Sequence, residues 1–531
     1  MTLPTSCQIL VVGSGNAGYC AAVAAKQAGA KSVVLIDKCP ESWAGGNSYF
    51  TAGAYRTVHH GKADLLSMVN NIDKAKAEKI DIEPYTVNDF AADMKRVCAS
   101  RSDPVLSDIL VRDSHSAMKW LHKNGIRFQL SLNRQAYEVD GRLKFWGGLA
   151  LKTQDGGKGM IEDHQAIAKR HGVATYFSTP LLRLVKDVKT GAVTGAVVQF
   201  GGKERTIETG AIILAAGGFE ANPRMRSQYL GPNWDLAKVR GTPYNDGMAL
   251  EIAMRDAEAK QGGNWSGCHS VAWDADAAAD TGDREISNEF TKSGYPLGLM
   301  FNAAGSRFVD EGIDLRNYTY AKFGRAILGQ PSQIAFQVWD QRTIGMLREE
   351  EYREERVHRY VADTIPELAK KLAGVGLQGQ EAFISNLEEY NRAVYAFQRL
   401  NPNKKWDPSI LDGMSTQSED ARLALGKTNW ALPLDQGPFM AVRVTCGVTF
   451  TFGGLSVNPQ TAAVISGATH QDIPGLYTCG EMLGGLFYEN YPGGSGLTSG
   501  AVFGRRAGTE AARVTTSKSV GSNLVEARAR L

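Results

Sequence analysis

The stretch Gln8-Ile-Leu-Val-Val-Gly-Ser-Gly-Asn-Ala-Gly18 is a short apolar run that breaks into closely spaced glycines. It predicts a strand, a tight turn and the start of a helix. Gly13 permits the turn, Gly15 lets backbone N–H groups approach a pyrophosphate, and Gly18 lets the helix lie close to its strand. The stretch therefore predicts a dinucleotide site at the N-terminus of this helix.

The next predicted strand supports this interpretation. Ser32-Val-Val-Leu-Ile36 ends in Asp37, about twenty residues after the glycines, where an acidic side chain can bind the ribose hydroxyls. An acid at this place favours an unphosphorylated ribose. Chance is the alternative in a chain with 58 glycines among 531 residues, but strand, turn, helix, strand and acid follow in the required order.

Length and composition describe an ordinary globular chain, 43% hydrophobic and 22% charged. Its 531 residues are too many for one compact core and predict two domains. The formal net charge of +3 is too small to favour nucleic acid or an anionic membrane as a partner. Because the chain has no apolar run of about 18 residues and the first strand begins by Gln8, we expect neither a membrane span nor a secretory signal.

The cysteines are scattered along the chain and form no CxxC pair. This pattern predicts free thiols rather than a disulfide framework or an iron–sulfur cluster, and we expect no bound metal. The residues are Cys7, Cys20, Cys39, Cys98, Cys268, Cys446 and Cys479.

Two further glycine-rich segments follow the first one. Gly45-Gly-Asn-Ser48 has small residues that can line the face of a flat ring without obstructing it, and a plain surface loop is the alternative. Gly156-Gly-Lys-Gly159 predicts a flexible active-site loop before a helix that begins near Ile161, and a second phosphate cradle is the alternative.

The middle of the chain indicates the type of fold. Residues 192–200 and 205–209 alternate like the strands of a hairpin and lead into Gly210-Ala-Ile-Ile-Leu-Ala-Ala-Gly-Gly218, a buried strand that ends in glycines. This arrangement is typical of flavoproteins of the glutathione-reductase type and favours FAD over NAD. Since no second GxGxxG follows a strand, we expect no separate NAD(P) domain.

We therefore predict an α/β protein with a Rossmann-like FAD-binding domain of the glutathione-reductase type and an inserted α+β capping domain. The first part of the FAD-binding domain is expected at residues 1–266, the capping and substrate domain at 267–445, and the second FAD-binding part with a C-terminal tail at 446–531. In this last part, a small-residue helix at 501–512 is expected to direct its positive end at the flavin.

Motifs along nearly the whole chain resemble those of the fumarate reductase/succinate dehydrogenase flavoprotein superfamily, and within it the FAD-dependent tricarballylate dehydrogenase type. The resemblance implies hydride exchange between flavin N5 and a substrate carbon, with an acid/base residue for the neighbouring proton. The motifs are residues 13–18, Gly45-Gly-Asn-Ser48, Val239-Arg-Gly-Thr242 with Asn245-Asp-Gly247, Gly305-Ser-Arg-Phe-Val-Asp-Glu311, Arg316-Asn-Tyr-Thr-Tyr-Ala321, Gly447-Val-Thr-Phe-Thr-Phe-Gly-Gly454 and Asn490-Tyr-Pro-Gly-Gly494.

Departures from the fumarate reductases bear on the substrate. In those enzymes an Arg four residues after the Glu of RFxxE moves the proton, whereas here Leu315 holds that place and Arg316 follows it, which makes Arg316 the first candidate. Phe450 replaces a carboxylate-binding His, and Tyr491 replaces a carboxylate-clamping Arg. Thr291-Lys-Ser-Gly294 stands at the spacing of their Glu-x-x-Arg proton relay. Fumarate or succinate is therefore not the expected substrate.

Tyr491-Pro-Gly also resembles the Tyr-Pro-Gly of the 3-ketosteroid Δ1-dehydrogenases, where the Tyr hydroxyl and a backbone N–H polarise a substrate carbonyl. Donors aimed at a developing enolate oxygen acidify the adjacent C–H. The base in that family is a Tyr shortly after RFxxE, so Tyr318 and Tyr320 are second candidates and Arg325 is the fallback. Core packing for the tyrosines and an ion pair for Arg316 are the alternatives.

Three functions remain open. The first is dehydrogenation of vicinal C–H bonds to C=C in a small polycarboxylate of the tricarballylate type. The second is desaturation or oxidation of a ketone or enone, favoured by Phe450, Phe452 and Tyr491, and the third is a flavin electron carrier without turnover. The Arg316 and tyrosine cluster argues against the third. Expected substrate contacts are Arg56, His59, Arg142, Lys144, His269, Phe450 and Ser495.

FAD is expected to bind non-covalently, because covalently flavinylated members use a His in the loop where Asn47-Ser48 stands here. The electron acceptor stays open between oxygen, a quinone and an iron–sulfur partner. We expect a cytoplasmic location, with a peroxisomal one as the alternative because Ala529-Arg530-Leu531 resembles Ser-Lys-Leu at the end of a polar tail from about Thr515. The expected FAD contacts are Gly13, Gly15, Asn16, Ala17, Gly18, Asp37, Lys38, Gly45, Gly46, Asn47, Ser48, Gly157, Ala216, Gly217, Gly480, Glu481, Ser495, Gly496 and Leu497.

Overall fold

The computed structural model of the chain describes residues 2–139, 141–145, 147–408 and 410–529. The last two residues of the predicted peroxisomal address, Arg530 and Leu531, lie outside the described residues. The chain forms two compact units. Unit 1 contains Met1–Leu230, Gly241–Cys268 and Phe450–Leu531, and unit 2 contains Gly231–Arg240 and His269–Thr449.

Strands and helices alternate along most of the chain. The strands are β1 (Ser6–Val12), β2 (Val33–Ile36), β3 (Ala54–Tyr55), β4 (Ile80–Ile82), β5 (Phe128–Leu130), β6 (Ala136–Val139), β7 (Arg142–Phe145), β8 (Leu151–Thr153), β9 (Ala174–Tyr176), β10 (Leu181–Lys186), β11 (Val193–Phe200), β12 (Lys203–Leu214), β13 (Lys238–Val239), β14 (Gln261–Asp274), β15 (Leu299–Asn302), β16 (Ala335–Asp340), β17 (Tyr360–Ala362), β18 (Phe439–Leu455), β19 (Ala463–Ile465) and β20 (Asp472–Thr478). The α-helices are α1 (Asn16–Gln27), α2 (Lys62–Leu66), α3 (Lys74–Glu78), α4 (Val87–Val97), α5 (Pro104–Asn124), α6 (Leu132–Gln135), α7 (Gly156–Arg170), α8 (Pro223–Met225), α9 (Met248–Ala257), α10 (Tyr320–Leu328), α11 (Gln341–Ile344), α12 (Glu349–Tyr352), α13 (Ile365–Ala373), α14 (Gln380–Leu400) and α15 (Ser495–Ala529).

The central sheet of unit 1 has the strand order β10-β11-β12-β1-β2-β9, and β20 pairs with β12 and with β19. β1 lies parallel between β12 and β2, with Ile9 opposite both Ala211 and Val33. β20 is parallel to β12, and β9 is parallel to β2. The carboxyl ends of these parallel strands therefore meet at one edge of the sheet, where ligands of open α/β sheets bind.

Small residues bring helices α1 and α15 close together in unit 1. Cβ atoms added at Gly504 and Gly508 would lie 2.6 and 2.1 Å from the backbone oxygens of Ala17 and Ala21. These glycines are four residues apart and share one face of α15. Any larger side chain there would push the two helices apart, so the alanine and glycine content of the two segments determines how deeply α15 packs against the sheet.

Strand β18 is the centre of the main sheet of unit 2. β13 pairs with it in parallel, β16 and β17 pair with it antiparallel, and β15 is antiparallel to β16. Apolar residues of α14 at helical spacing, Phe383, Leu387 and Tyr390, are buried in a core with Leu299 of β15 and Leu368 of α13. This core holds β15, and with it the start of residues 305–321, in a fixed place.

Two predicted boundaries near glycines differ from the structure. The hairpin of β11 and β12 is confirmed, but β12 continues unbroken through the predicted separate strand at residues 210–214. Helix α7 begins at Gly156 and not near Ile161. A Cβ at Gly157 would lie 2.2 Å from the backbone oxygen of Ser48, so the glycines allow the first turn of α7 to pack on the loop after β2 instead of forming a loop themselves.

The segment predicted as a polar tail from about Thr515 continues helix α15 to Ala529. Thr515 is bound in the helix through its Oγ1, which donates to the backbone oxygen of Ala511 at 2.8 Å and accepts from Nε2 of Gln8 at 3.0 Å. Among the described helices, none combines the length and apolar character needed to cross a membrane.

Candidate active site

The first glycine segment forms a strained, closely packed turn. Gly13 has a φ of +111°, and a Cβ there would lie 2.3 Å from the backbone oxygen of Ala215. A Cβ at Gly18 would lie 1.9 Å from the backbone oxygen of Gly13. By contrast, a Cβ at Gly15 would come no closer than 3.5 Å to a described atom, Oγ of Ser48. Gly13 and Gly18 are therefore required by packing, whereas a Cβ at Gly15 would make only ordinary contacts with Ser48 and Gly45, so protein packing does not require this glycine at the N-terminus of α1.

Asn16 joins the N-terminal ends of α1 and α15. Its Nδ2 donates to the backbone oxygen of Leu497 at 2.9 Å, and its Oδ1 accepts from the hydroxyl of Tyr55 at 2.8 Å. Its backbone N–H donates to Oγ of Ser48 at 3.1 Å. The positive ends of two helix dipoles thus lie side by side, which favours a bound anion at this place.

Asp37 supports the glycine turn. Its Oδ2 accepts from the backbone N–H and from Oγ of Ser14, both at 2.7 Å, and its Oδ1 accepts from the backbone N–H of Cys39 at 3.0 Å. These bonds hold the end of β2 against the turn after β1. The ribose contact stays a prediction, and neighbouring Lys38 forms an ion pair with Asp246.

Two carboxyl groups, those of Glu220 and Glu481, lie at the glycines that follow β12. A Cβ at Gly218 would lie 2.2 Å from Oε1 of Glu481 and 2.8 Å from Oε2 of Glu220. Burial and the Glu481 carboxyl raise the pKa of Glu220 well above its usual value, and burial raises the pKa of Glu481 to about 7. Two acids this close in a buried site favour a shared proton.

N–H groups of unit 1 donate hydrogen bonds to the carboxyls of Glu220 and Glu481. Oε1 of Glu220 accepts from Nδ2 of Asn245 at 2.8 Å and from Nδ2 of Asn47, and Oδ1 of Asn47 accepts from the backbone N–H of Thr242 at 2.8 Å. Oε1 of Glu481 accepts from the backbone N–H of Thr451 at 2.7 Å. The side chain of Asn47 is thus held between two elements of unit 1.

These features fit FAD. The adjoining N-terminal helix ends suit a pyrophosphate, and Gly46, where a Cβ would come no closer than 3.9 Å to a described atom, leaves backbone free to lie against a flat ring. Unit 1 also holds the remaining expected contacts at the ends of β20, α7 and α15. The structure brings these predicted FAD contacts into unit 1, and their individual contacts with the cofactor stay predictions.

An aromatic cluster of Phe450, Phe452, Phe487 and Tyr491 lies in unit 1. The Tyr491 ring is 5.5 Å from the Phe450 ring and 5.5 Å from the Phe487 ring, both in edge-to-face geometry. Ser495, which was expected beside the substrate, is buried, and its Oγ donates to the backbone oxygen of Pro492 at 2.5 Å. The cluster gives this part of unit 1 an apolar surface around one phenol hydroxyl.

Several expected substrate contacts of unit 1 are held by protein partners. Arg56 is buried and donates to Oδ2 of Asp93 at 3.0 Å and to the Tyr85 hydroxyl at 2.9 Å. Arg142 pairs with Asp81 at 2.5 Å. Such pairs stabilise the fold without a substrate, so the assignment of Arg56 and Arg142 to substrate binding stays an untested prediction.

In unit 2, Arg316 begins a chain of hydrogen bonds. Its guanidinium donates to Oγ of Ser293 at 3.4 Å, and this hydroxyl donates to Oε2 of Glu351 at 2.5 Å. Oε1 of Glu351 accepts from Arg348 at 3.1 Å. The Glu351 carboxyl is fully buried, whereas 14% of the Arg348 side chain is exposed. The groups therefore connect Arg316 to the surface of unit 2.

Further predicted residues lie in unit 2 with Arg316. The rings of His269 and Tyr320 are 5.7 Å apart, and the hydroxyls of Tyr295 and Thr319 share a hydrogen bond of 2.7 Å. Burial and the nearby Arg240 guanidinium lower the pKa of His269 well below its usual value, so this imidazole is neutral at pH 7. Tyr318 is half-buried, and Arg325 lies over the Trp234 ring instead, with its guanidinium 5.9 Å from the ring centre.

Several polar groups of these clusters were given no role from the sequence. Arg240 and Asn245 lie inside the motifs at residues 239–242 and 245–247, and Glu220 lies two residues after Gly217-Gly218, so their positions were available signals. Ser293 and Glu351 gave no such signal, because they are 58 residues apart and meet only in the fold.

The FAD binding domain family matches residues 8–497, and the chain belongs to this family. The probable fumarate reductase Ifc3 of Shewanella frigidimarina is 27% identical over 514 residues, which cover 95% of this chain and 75% of that protein. The vinyl phenol reductase of Lactiplantibacillus plantarum is 27% identical over 541 residues, covering 98% of this chain and 99% of that protein. A flavocytochrome c3 fumarate reductase in its open conformation superposes with a TM-score of 0.70 at 25% identity, covering 96% of this chain and 78% of the other.

These similarities confirm the predicted α/β fold with an FAD-binding domain and the resemblance to the fumarate reductase flavoproteins. The chain is an FAD-dependent oxidoreductase of the fumarate reductase family that acts on CH–CH groups.

Proposed function

We propose that the chain dehydrogenates vicinal C–H bonds to C=C in a small polycarboxylate of the tricarballylate type. The observation that carries this proposal is the bonded chain of Arg316, Ser293, Glu351 and Arg348 in unit 2. A dehydrogenation at CH–CH releases one hydride equivalent and one proton. Bound FAD supplies the acceptor of the hydride equivalent, so the protein itself has to move the proton.

Arg316 is the proposed proton-transfer group. When a substrate is dehydrogenated, Arg316 takes the C–H proton while it passes one of its own protons to Oγ of Ser293, whose hydroxyl proton moves to the Glu351 carboxylate. Saturation of a double bond uses the same atoms in the opposite order, with Glu351 as the donor. An arginine side chain is rarely neutral in proteins. Because Arg316 gains one proton as it gives up another, its guanidinium is charged again at the end of each reaction.

The cations of unit 2 support a carboxylate substrate. Arg316 and Arg240 carry fixed positive charges, and planar guanidinium groups bind carboxylates through paired hydrogen bonds. His269 is neutral at pH 7, so it is suited to donate one hydrogen bond rather than to form an ion pair. A substrate with several carboxylates matches two guanidiniums and one neutral donor better than a monoanion does.

We further propose that FAD is held without a covalent bond. Covalently flavinylated members use a His in the loop after β2, whereas here Asn47 and Ser48 have no ring nitrogen, and both ends of the Asn47 amide bond to protein groups. Acid precipitation of the yellow protein should release FAD into the supernatant. Flavin that stays with the pellet would overturn this part of the proposal.

Anaerobic titration tests the substrate class. Tricarboxylates, dicarboxylates, and cyclic ketones or enones are added separately to the oxidised protein, and bleaching of the flavin absorbance is recorded. We expect bleaching by a tricarboxylate, and its loss by several orders of magnitude in Arg316→Ala without loss of FAD. Arg316→Lys keeps the charge but not the planar donor pair and should restore only part of the rate. Bleaching by ketones alone would refute the polycarboxylate.

A carbonyl-containing substrate is the second candidate, and the aromatic cluster of unit 1 favours it. Phe450, Phe452 and Phe487 surround Tyr491 with apolar surface, which suits a ketone or enone with few charges. A phenol donor in such surroundings can polarise a carbonyl oxygen. The rate of flavin reduction by ketones relative to tricarboxylates decides between the two candidates.

For the electron acceptor we propose only chemical classes, and for the cellular location only a compartment. Oxygen, a quinone and an iron–sulfur partner remain the acceptor classes, and reoxidation of the reduced flavin by each one separately distinguishes them. We propose the cytoplasm as the location. Peroxisomal targeting by the last three residues is tested by an N-terminal fluorescent fusion, whose punctate signal should become diffuse when residues 529–531 are deleted.

A further inference from the structure

A cluster of two histidines and one aspartate lies in unit 1, apart from the groups described above. His60 precedes α2, Asp64 lies in α2, and His115 lies in the middle of α5. One potential ligand atom from each residue lies within 4.8 Å of the other two. The proposed reaction uses none of these side chains.

The distance between His115 and Asp64 and the spacing of the two histidine rings match those between ligands of one tetrahedral metal ion. Nε2 of His115 lies 3.3 Å from Oδ2 of Asp64. Nitrogen and oxygen ligands at zinc distances are separated by about 3.4 Å along a tetrahedral edge. The rings of His60 and His115 are 5.5 Å apart at an interplanar angle of 76°, and two imidazoles on one such ion have centres about 5 Å apart.

The surroundings of His115 give further support for a ligand. Both of its ring nitrogens are buried, and although the ring interacts with the Val58 backbone and Nε2 lies 3.3 Å from Oδ2 of Asp64, neither nitrogen has a hydrogen bond of good geometry to a described residue. Buried ring nitrogens normally have partners, since an unpaired polar atom costs about 1–3 kcal/mol. A metal ion would use one of these nitrogens as a ligand.

The chemistry of the three side chains suits a cation. Two imidazoles and one carboxylate offer nitrogen and oxygen lone pairs, and a metal ion binds them in their deprotonated forms.

The other charged or titratable neighbours are Lys119 and His59. Nζ of Lys119 lies 3.3 Å from Oδ1 of Asp64, whereas His115 faces the other oxygen, Oδ2. The Lys119 side chain is 53% exposed. Its charge competes with a cation, although its long stem can turn into solvent. His59 is buried, and burial lowers its pKa to about 4, so it adds no positive charge near neutral pH.

We propose that His60, Asp64 and His115 bind one zinc ion, which links the segment before α2 to α5. Two imidazoles and one carboxylate are borderline ligands that favour zinc over magnesium or calcium, which prefer oxygen ligands. Three protein ligands leave a fourth position for water. The zinc site is independent of the proposed function, because no group of the proton route belongs to the cluster.

Zinc titration of the FAD-loaded full-length protein, after dialysis against a chelator, tests the proposal. We expect saturable binding of one zinc ion per chain and a rise in melting temperature with zinc. Replacement of one ligand by His60→Ala or His115→Ala should weaken binding at least about tenfold and abolish the zinc-dependent rise. Magnesium should give neither effect.

Two further variants make the test specific. His122→Ala removes an exposed histidine from the last turn of the same helix and should leave zinc binding unchanged. Lys119→Met removes the competing charge and should tighten binding, which a simple ion-pair cluster would not do. Equal zinc affinity in the wild type, His60→Ala and His115→Ala, with FAD content and circular dichroism unchanged, would overturn the proposal.

Discussion

Replacement of Glu220 by glutamine tests the shared proton of the two buried carboxyls. Glu220 is fully buried, and its Oε1 accepts from the amides of Asn245 and Asn47. A glutamine oxygen can accept the same two bonds, and its NH2 group can replace the proton of a protonated Glu220 beside Glu481. Glu220→Gln thus keeps the shape of the site and removes one titratable group.

The raised pKa values make stability depend on pH. Below pH 4.5 the carboxyl of Glu481 holds its proton in both the folded and the unfolded chain, and its contribution is fully present. Between pH 4.5 and about 7 only the folded chain keeps this proton, so the free energy of unfolding falls as pH rises. A rise from 4.5 to about 7 corresponds to about 3 kcal/mol at most, and about 1–3 kcal/mol after allowance for the partial exposure of Glu481.

Urea unfolding at pH 5 and pH 8, at one fixed FAD concentration, measures this effect, because bound cofactor itself adds stability. Glu220→Gln should match the wild type at pH 5 and exceed it at pH 8, because the variant has no Glu220 carboxyl that keeps its proton only in the folded chain, whereas the fall of about 1–3 kcal/mol due to Glu481 is common to both proteins. Glu83→Gln, at an exposed position, is the matched control and should change neither value. A variant less stable than the wild type at pH 8 would refute the shared proton, since it would mean that the Glu220 carboxylate is favourable in the folded chain.

Three further predictions concern the glycine turn, the proton route and the phenol. Gly18→Ala should abolish FAD retention, because the new Cβ would lie 1.9 Å from the Gly13 backbone oxygen. The control Gly374→Ala, whose Cβ would lie 3.4 Å from its nearest atom, should retain FAD. The ratio of flavin to protein absorbance measures both. Glu351→Gln should slow flavin reduction by about 10²-fold and change its solvent deuterium isotope effect, while Glu349→Gln behaves as the wild type; equal rates in stopped-flow traces would remove Glu351 from the route. Tyr491→Phe should lower reduction by a ketone by about 10²–10³-fold if the carbonyl substrate is correct and leave reduction by a tricarboxylate nearly unchanged.

The beginning of the fold was predictable because its signals are local. The apolar run, the glycines and the alanine-rich segment predicted a strand, a turn and a helix, and the structure has β1 at Ser6–Val12 and α1 at Asn16–Gln27. Each glycine role depends on residues close by in the sequence or in the next strand. The start of α7 was misplaced because glycines indicate turns in isolation, while here they allow a helix to pack against Ser48.

The acid–base groups were predictable only in part, because proton transfer depends on partners brought together by the fold. Arg316 was found from its distance to a motif, but its hydrogen-bonded neighbours come from a loop at Ser293 and a short helix at Glu351. The missing Glu-x-x-Arg spacing suggested that no relay was present. A search for a fixed sequence spacing finds a proton relay only when its residues lie in one continuous segment of the chain.

The buried charges of unit 1 depend on distant partners in the same way. Arg56 was a candidate for a substrate carboxylate, which stays a prediction, and the structure shows it bonded to Asp93, a protein carboxylate 37 residues away. Glu220 and Glu481 come from segments 261 positions apart, and neither sequence position shows that the other acid is its neighbour. Burial raises the pKa of both glutamates, and the Glu481 carboxyl raises the pKa of Glu220 further. The chemistry of these two acids therefore depends on the burial and the partner that the fold gives them, which makes Glu220→Gln informative about the fold as well as about the acid.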